Sequence, residues 1–188
     1  EVLQRDAEFV KRAPGGFSEV VTQLFGPFAL TNMDGEEHRR LRGMLGDLLS
    51  PANATQLLCG YEGRLAGLRT ALERGKTIDL VRFMRIMSGR LTFEMMGVRH
   101  PSDDADEAAL ALIALGERVA AVLRTRRLSE RELRSCDRDV EQLVAFARAG
   151  YEADDAPPSS LVQRLRERGL SFEAARGLLL LFCVGDTL

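Results

Sequence analysis

The sequence predicts an all-α fold. Apolar residues recur at three- and four-residue spacing along most of the chain, and no stretch alternates with the two-residue period of a half-buried strand. In addition, the run Leu178 to Val184 is apolar on every side, so as a helix it has to be enclosed by other elements. The 188 residues suffice for one domain with a substantial core and are too short for two, so a single domain over 1–188 is expected.

In chain order, Val2 to Arg12 reads as a short helix broken by Pro14-Gly15-Gly16, followed by a loop or irregular helix to Met33. Asp34 is a candidate N-cap, and Glu37 three residues later completes a capping-box-like pattern. That helix is expected to run to about Leu49, before Ser50-Pro51. Leu57, Leu58, Tyr61, Leu65, Leu68 and Leu72 mark one amphipathic helix over roughly 53–74. Leu80, Phe83, Met84, Met87, Leu91 and Met95 mark another over 79–97, stopped by Gly97. Leu112, Leu115, Val119, Val122 and Leu123 mark a third, with Asp103, Asp104, Asp106 and Glu107 near its positive N-terminal end. Further helices are expected at about 130–149, 159–168 and from 172 onward, with Asp155 to Ser159 as a loop. Ser171 can cap the last of them.

Composition is that of an ordinary globular protein, with 45% hydrophobic and 29% charged residues. A net charge of −2 gives no electrostatic case for nucleic acid or an anionic membrane. The longest apolar run has the seven residues Leu178 to Val184, too few to span a bilayer, and no secretory signal is visible. Cys59, Cys136 and Cys183 form no CxxC pair, and only His38 and His100 could join them as metal ligands. No metal site is expected, and a reducing, cytoplasmic setting is the simplest inference. Met84, Met87, Met95 and Met96 read as core filler, and Arg124, Arg126, Arg127, Arg131, Arg134 and Arg138 as solvated helix ends. GxSxG, phosphate-loop and HExxH motifs are absent.

His38 and Arg42 stand four apart, so one helical face carries both. Two such groups make a receptor for carboxylates, with arginine offering a planar fork. The plainer reading is a solvated basic face, since Arg39 and Arg40 lie there too. At the other end of the sequence, Asp186-Thr187 places a carboxylate beside a hydroxyl, a pair able to relay protons; its plainer reading is a polar helix end.

Together these stretches resemble the bacterial-type cytochrome P450 family. Its C-helix signature reads Asp-Pro-Pro-Glu-His followed by Thr-Arg-Leu-Arg. Asp34, Glu37, His38, Arg40, Leu41 and Arg42 match it, while Gly35, Glu36 and Arg39 differ. Ser50-Pro51 sits where the family has Thr-Pro or Ser-Pro. The closing Cys183-Val184-Gly185-Asp186-Thr187 is similar to the family's I-helix motif, Ala/Gly-Gly-x-Asp/Glu-Thr. Aligned without a gap, Val184 takes the family glycine's place; with a one-residue deletion, Gly185 does. The ungapped alignment is preferred. Weaker likenesses lie before and between them, at Val2 to Phe9, Ile78 to Val98 and Asp155 to Ser171, in the family's order from helix B into helix I.

The resemblance implies a haem monooxygenase that inserts one oxygen atom from O2 into a small organic substrate, with electrons from a ferredoxin-like or flavoprotein donor. It implies that His38 and Arg42 bind haem propionates, that Cys183 and Val184 border the haem, and that Asp186 and Thr187 serve oxygen activation. Pro14 to Met33 and the helices over roughly 105–150 would line or cover the substrate pocket, with Phe25, Phe28 and Leu30 as candidate substrate contacts, or else as ordinary loop anchors. The family's Glu-x-x-Arg motif and its Phe-x-x-Gly-x-x-x-Cys-x-Gly haem loop are not in this sequence. The expectation is therefore a partial P450 fold, truncated inside the long I helix, with the axial cysteine outside it. A different class remains open: a haem-free P450-like auxiliary protein, such as a glycosyltransferase activator. So does an unrelated helical ligand-binding bundle.

Overall fold

A computed structural model describes residues 17–26, 28–30, 33–46, 50–98, 104–123 and 129–185. Among these every regular element is a helix: α1 (Phe17–Phe25), α2 (Gly35–Leu45), α3 (Pro51–Cys59), α4 (Glu62–Glu73), α5 (Leu80–Met95), α6 (Ala105–Leu123), α7 (Glu130–Glu152), α8 (Leu161–Glu167) and α9 (Phe172–Gly185). The all-α expectation holds. None of these helices is long and apolar enough to cross a membrane.

The centre of the fold is α6, which packs on α5, α7 and α9, while α1 lies against α6, α7 and α9. Helix α7 shows why such a sequence folds this way. Cys136, Val140, Leu143 and Ala147 are buried at four-, three- and four-residue intervals, so one stripe faces inward. Its start is fixed by a capping box, in which the Ser129 hydroxyl accepts from the Glu132 N–H at 3.3 Å and the Glu132 carboxylate accepts from the Ser129 N–H at 2.8 Å. Arg118 of α6 clamps Asp139 of α7 with two bonds of 2.9 and 3.0 Å. Arg148 of α7 stacks 4.1 Å from the Phe172 ring centre and pairs with Glu173 of α9 at 2.9 Å.

Small residues let the central helices approach one another. A Cβ placed on Gly89 of α5 would sit 2.5 Å from the Ala109 carbonyl oxygen of α6, and one on Gly116 of α6 would sit 2.5 Å from the Cys183 carbonyl oxygen of α9. A Cβ on Gly150 of α7 would come closer still to the Met96 carbonyl oxygen, at 1.9 Å. At these three points backbone lies on backbone. The apolar α9 is enclosed as expected: Leu178, Leu179, Leu180, Cys183 and Val184 are buried, with Leu181 and Phe182 partly so.

Several sequence expectations need correction. The stretch before Met33 contains a regular helix, α1, because Val21, Leu24 and Phe25 have an inward face to fill. The predicted 53–74 helix is two, broken at Gly60-Tyr61, where Tyr61 N–H bonds the Leu58 carbonyl and the ring turns inward to 3% exposure. Helix α2 ends at Leu45 rather than about Leu49. Asp34 is its N-cap but makes no side-chain cap bond, and Glu37 pairs forward with Arg40 instead of reaching back. Met84 and Cys59 are exposed, whereas Met96, Cys136 and Cys183 are buried. Gly97 does stop α5, with φ +68° and the paired end-of-helix bonds Gly97 N–H to Glu94 and Val98 N–H to Phe93. The expected helix over Val2 to Arg12, His100, and Arg124, Arg126 and Arg127 lie outside the described residues.

Candidate functional site

Helix α2 carries the first motif. Its inward stripe is His38, Leu41 and Leu45, all buried. At 100° per residue, Arg42 lies about 40° around the helix from His38, and that rotation brings it to the exposed edge. The pair predicted to act together is therefore divided, with the imidazole inside and partnered and the guanidinium in solvent. Beside them Arg40 holds Glu37 with bonds of 3.0 and 2.5 Å, and that contact keeps the Glu37 carboxyl below its usual range.

The second motif is only partly visible. Cys183 and Val184 are 1% and 0% exposed, pressed against α6 where Gly116 meets the Cys183 carbonyl. Asp186 and Thr187 lie outside the described residues. Leu41 and Leu45 of α2 belong to the same buried cluster as Cys183 and Val184, so the two motifs share one core. Phe25 is fully buried in that cluster, and Phe28 and Leu30 are partly buried against it.

Whether these residues fit a haem follows from that burial. A porphyrin edge needs accessible donors beside an open face, and only Arg42 among the described candidates offers one. The described residues do not form a haem cradle by themselves. Nor do the two buried cysteines have the character of an axial thiolate. Burial, with Asp137 and Asp139 nearby, pushes the Cys136 thiol up to about 11, and Cys183 is sealed. No group of three or more His, Cys, Asp or Glu among the described residues is placed to hold a metal ion.

The structure gathers a different set of groups, which the sequence did not announce. Asp106, in the first turn of α6, accepts from Arg90 Nε of α5 at 2.6 Å and from Arg64 Nη2 of α4 at 2.9 Å, both on the same oxygen. Burial opposes ionisation, yet the two guanidinium groups outweigh it and hold the Asp106 carboxyl below its usual range. Next to them the Tyr61 hydroxyl is buried beside Glu94 without a hydrogen bond of good geometry. Burial raises the pKa of both Tyr61 and Glu94. Arg90 and Glu94 also line a cleft of about 290 Å³ with Phe93, Gly97, Val98, Ala105 and Pro157. A second, more apolar cleft of about 420 Å³ lies among Leu80, Val81, Met84, Ser88 and Ile113. The partners of Asp106 are 16 and 42 residues away, a separation at which no local pattern signals contact.

No family model, curated protein or solved structure matches this chain.

Proposed function

We propose that the chain is part of a cytochrome P450-type haem monooxygenase, supplying helices of the distal, substrate-facing side. One observation carries the reading: on α2, His38 and Arg42 stand one turn apart within a stretch where Asp34, Glu37, Arg40 and Leu41 also match the family signature. The helical order and the apolar α9 leading into Gly185-Asp186-Thr187 are consistent with it. On this reading Arg42 pairs with a haem propionate, His38 turns outward to join it, and Asp186 and Thr187 serve proton delivery. The axial thiolate comes from a segment other than Cys59, Cys136 or Cys183, the substrate is a small organic molecule, and the electron donor is a ferredoxin or flavoprotein.

The second reading is a haem-free P450-like auxiliary protein, with a glycosyltransferase as the example of a partner. The tight seal of Val184 and Cys183 against α6 favours it. The deciding experiment is haem titration of the polypeptide expressed from the intact gene, with His38→Ala/Arg42→Ala alongside. Haem retention that weakens at least tenfold in the folded double variant supports the monooxygenase. A protein that takes up no haem, or whose affinity ignores both substitutions, defeats it.

A further inference from the structure

Helix α4 is attached to the body of the protein unlike any other described helix of more than nine residues. None of its residues is buried, and Leu65 and Leu72 are 47% and 55% exposed. Its inward face consists of the half-buried Arg64, Leu68 and Ala71, led by the buried ring of Tyr61 just before its first turn. Arg64 is the charged tether, bonded at 2.9 Å to the Asp106 oxygen that Arg90 also holds at 2.6 Å. The groups facing Asp106 are thus Arg64 from α4 and Arg90 from α5; those facing Glu94 are Tyr61 and Arg90. Arg90 and Glu94 line the cleft beside Pro157, so the tether is continuous with the cleft wall.

We propose that α4 is a latch, a helix that swings away from α5 and α6 as a unit when the Arg64–Asp106 tether is loosened and so leaves Asp106 to Arg90, a residue of the cleft wall. The physical ground is the poverty of its attachment. A helix with no buried side chain gains little from the hydrophobic effect. A half-exposed ion pair is weakened by salt. The one buried anchor, Tyr61, brings a hydroxyl that faces Glu94 without a hydrogen bond of good geometry. Local opening at low free energy is the expected outcome for such an element. By contrast, α6, α7 and α9 are locked by buried stripes and backbone contact.

Amide hydrogen exchange resolved by segment tests this in the intact chain. Amides of α4 should exchange well ahead of those in α6 and α7, and should speed up about two- to fivefold as salt rises from about 0.05 to about 0.5 M. Arg64→Gln should give the same acceleration at low salt, remove most of the salt response, and leave α6 and α7 unchanged. Tyr61→Phe, which deletes the poorly bonded hydroxyl and keeps the ring, should slow α4 exchange or leave it alone. The proposal is overturned if α4 exchanges together with α6 and α7, or if neither salt nor Arg64→Gln changes its rate.

Discussion

Replacing Gly116 by alanine would test the contact on which the α6–α9 packing depends. In an ordinary helix interior the change stabilises by about 1 kcal/mol, because alanine loses less backbone freedom on folding. Here the new Cβ would lie 2.5 Å from the Cys183 carbonyl oxygen, about half an ångström inside the closest tolerable contact. A backbone oxygen within a helix has no rotamer by which to escape, so α6 and α9 must part. That separation thins the contacts of Val119, Ala120, Leu179, Leu180 and Val184, all buried in one cluster. Overpacking of this kind costs about 3 kcal/mol at its upper range, leaving a net loss of about 2 kcal/mol after the helix gain. For a chain of this size that lowers Tm by roughly 4–8 °C. Gly43→Ala is the control, since a Cβ there meets nothing within 4 Å, and it should raise stability by about 0.5–1 kcal/mol. Urea unfolding with an unchanged m-value reads both. A Gly116→Ala protein as stable as its parent would mean that α6 and α9 are not in backbone contact, and the account of how Cys183 and Val184 are sealed would fail.

Ser129→Ala should lose the capping box of α7 and about 1 kcal/mol, seen in the same unfolding assay; Ser129→Asp should recover most of it. Cys136 should resist thiol-labelling reagents at neutral pH while the exposed Cys59 reacts, and comparable rates would contradict the burial described for Cys136. Because burial raises the folded-state pKa of Cys136 to about 11, its neutral form adds stability that is complete below the unfolded value and fades as pH rises from about 9 toward 11; a Cys136→Ala comparison across that range isolates the effect. Haem added to the purified 188-residue chain, then reduced and exposed to carbon monoxide, should give no thiolate-type absorption band, and such a band would show that one of the three cysteines serves as ligand.

Periodicity made α6, α7 and α9 legible because each buries a full stripe, and burial is what repeats at helical spacing; α5 was found by the same spacing, although Leu80 and Met84 of its predicted stripe are exposed and Ile86, Gly89 and Thr92 are the residues it buries. Periodicity misjudged 53–74 for a related reason. Leu58, Tyr61, Leu65, Leu68 and Leu72 keep the spacing, yet Leu58, Leu65 and Leu72 face solvent and Gly60 lets the chain turn. The site was legible as a spacing of residue types and no further. His38 and Arg42 do share a helix, but which of them turns inward is set by the rest of the stripe, Leu41 and Leu45. The Arg64–Asp106–Arg90 cluster had no sequence signal, since each of its residues alone reads as a solvated charge.

The order in which the elements come together follows from the pairs they form. Helices α5, α6 and α7 are successive in the chain and pack as neighbours, so their contacts close short loops and cost little chain entropy. The contact of α9 with α1 is different: Arg176 donates to the Leu24 carbonyl across 152 residues. A chain built this way should assemble from the middle outward, with α5–α7 as an early nucleus and α1 docking last on a surface already made. Pulse-labelled refolding would read that order directly. Slow closure of a long loop leaves the apolar face of α9 uncovered for the longest time, and that interval is when this protein is most exposed to self-association.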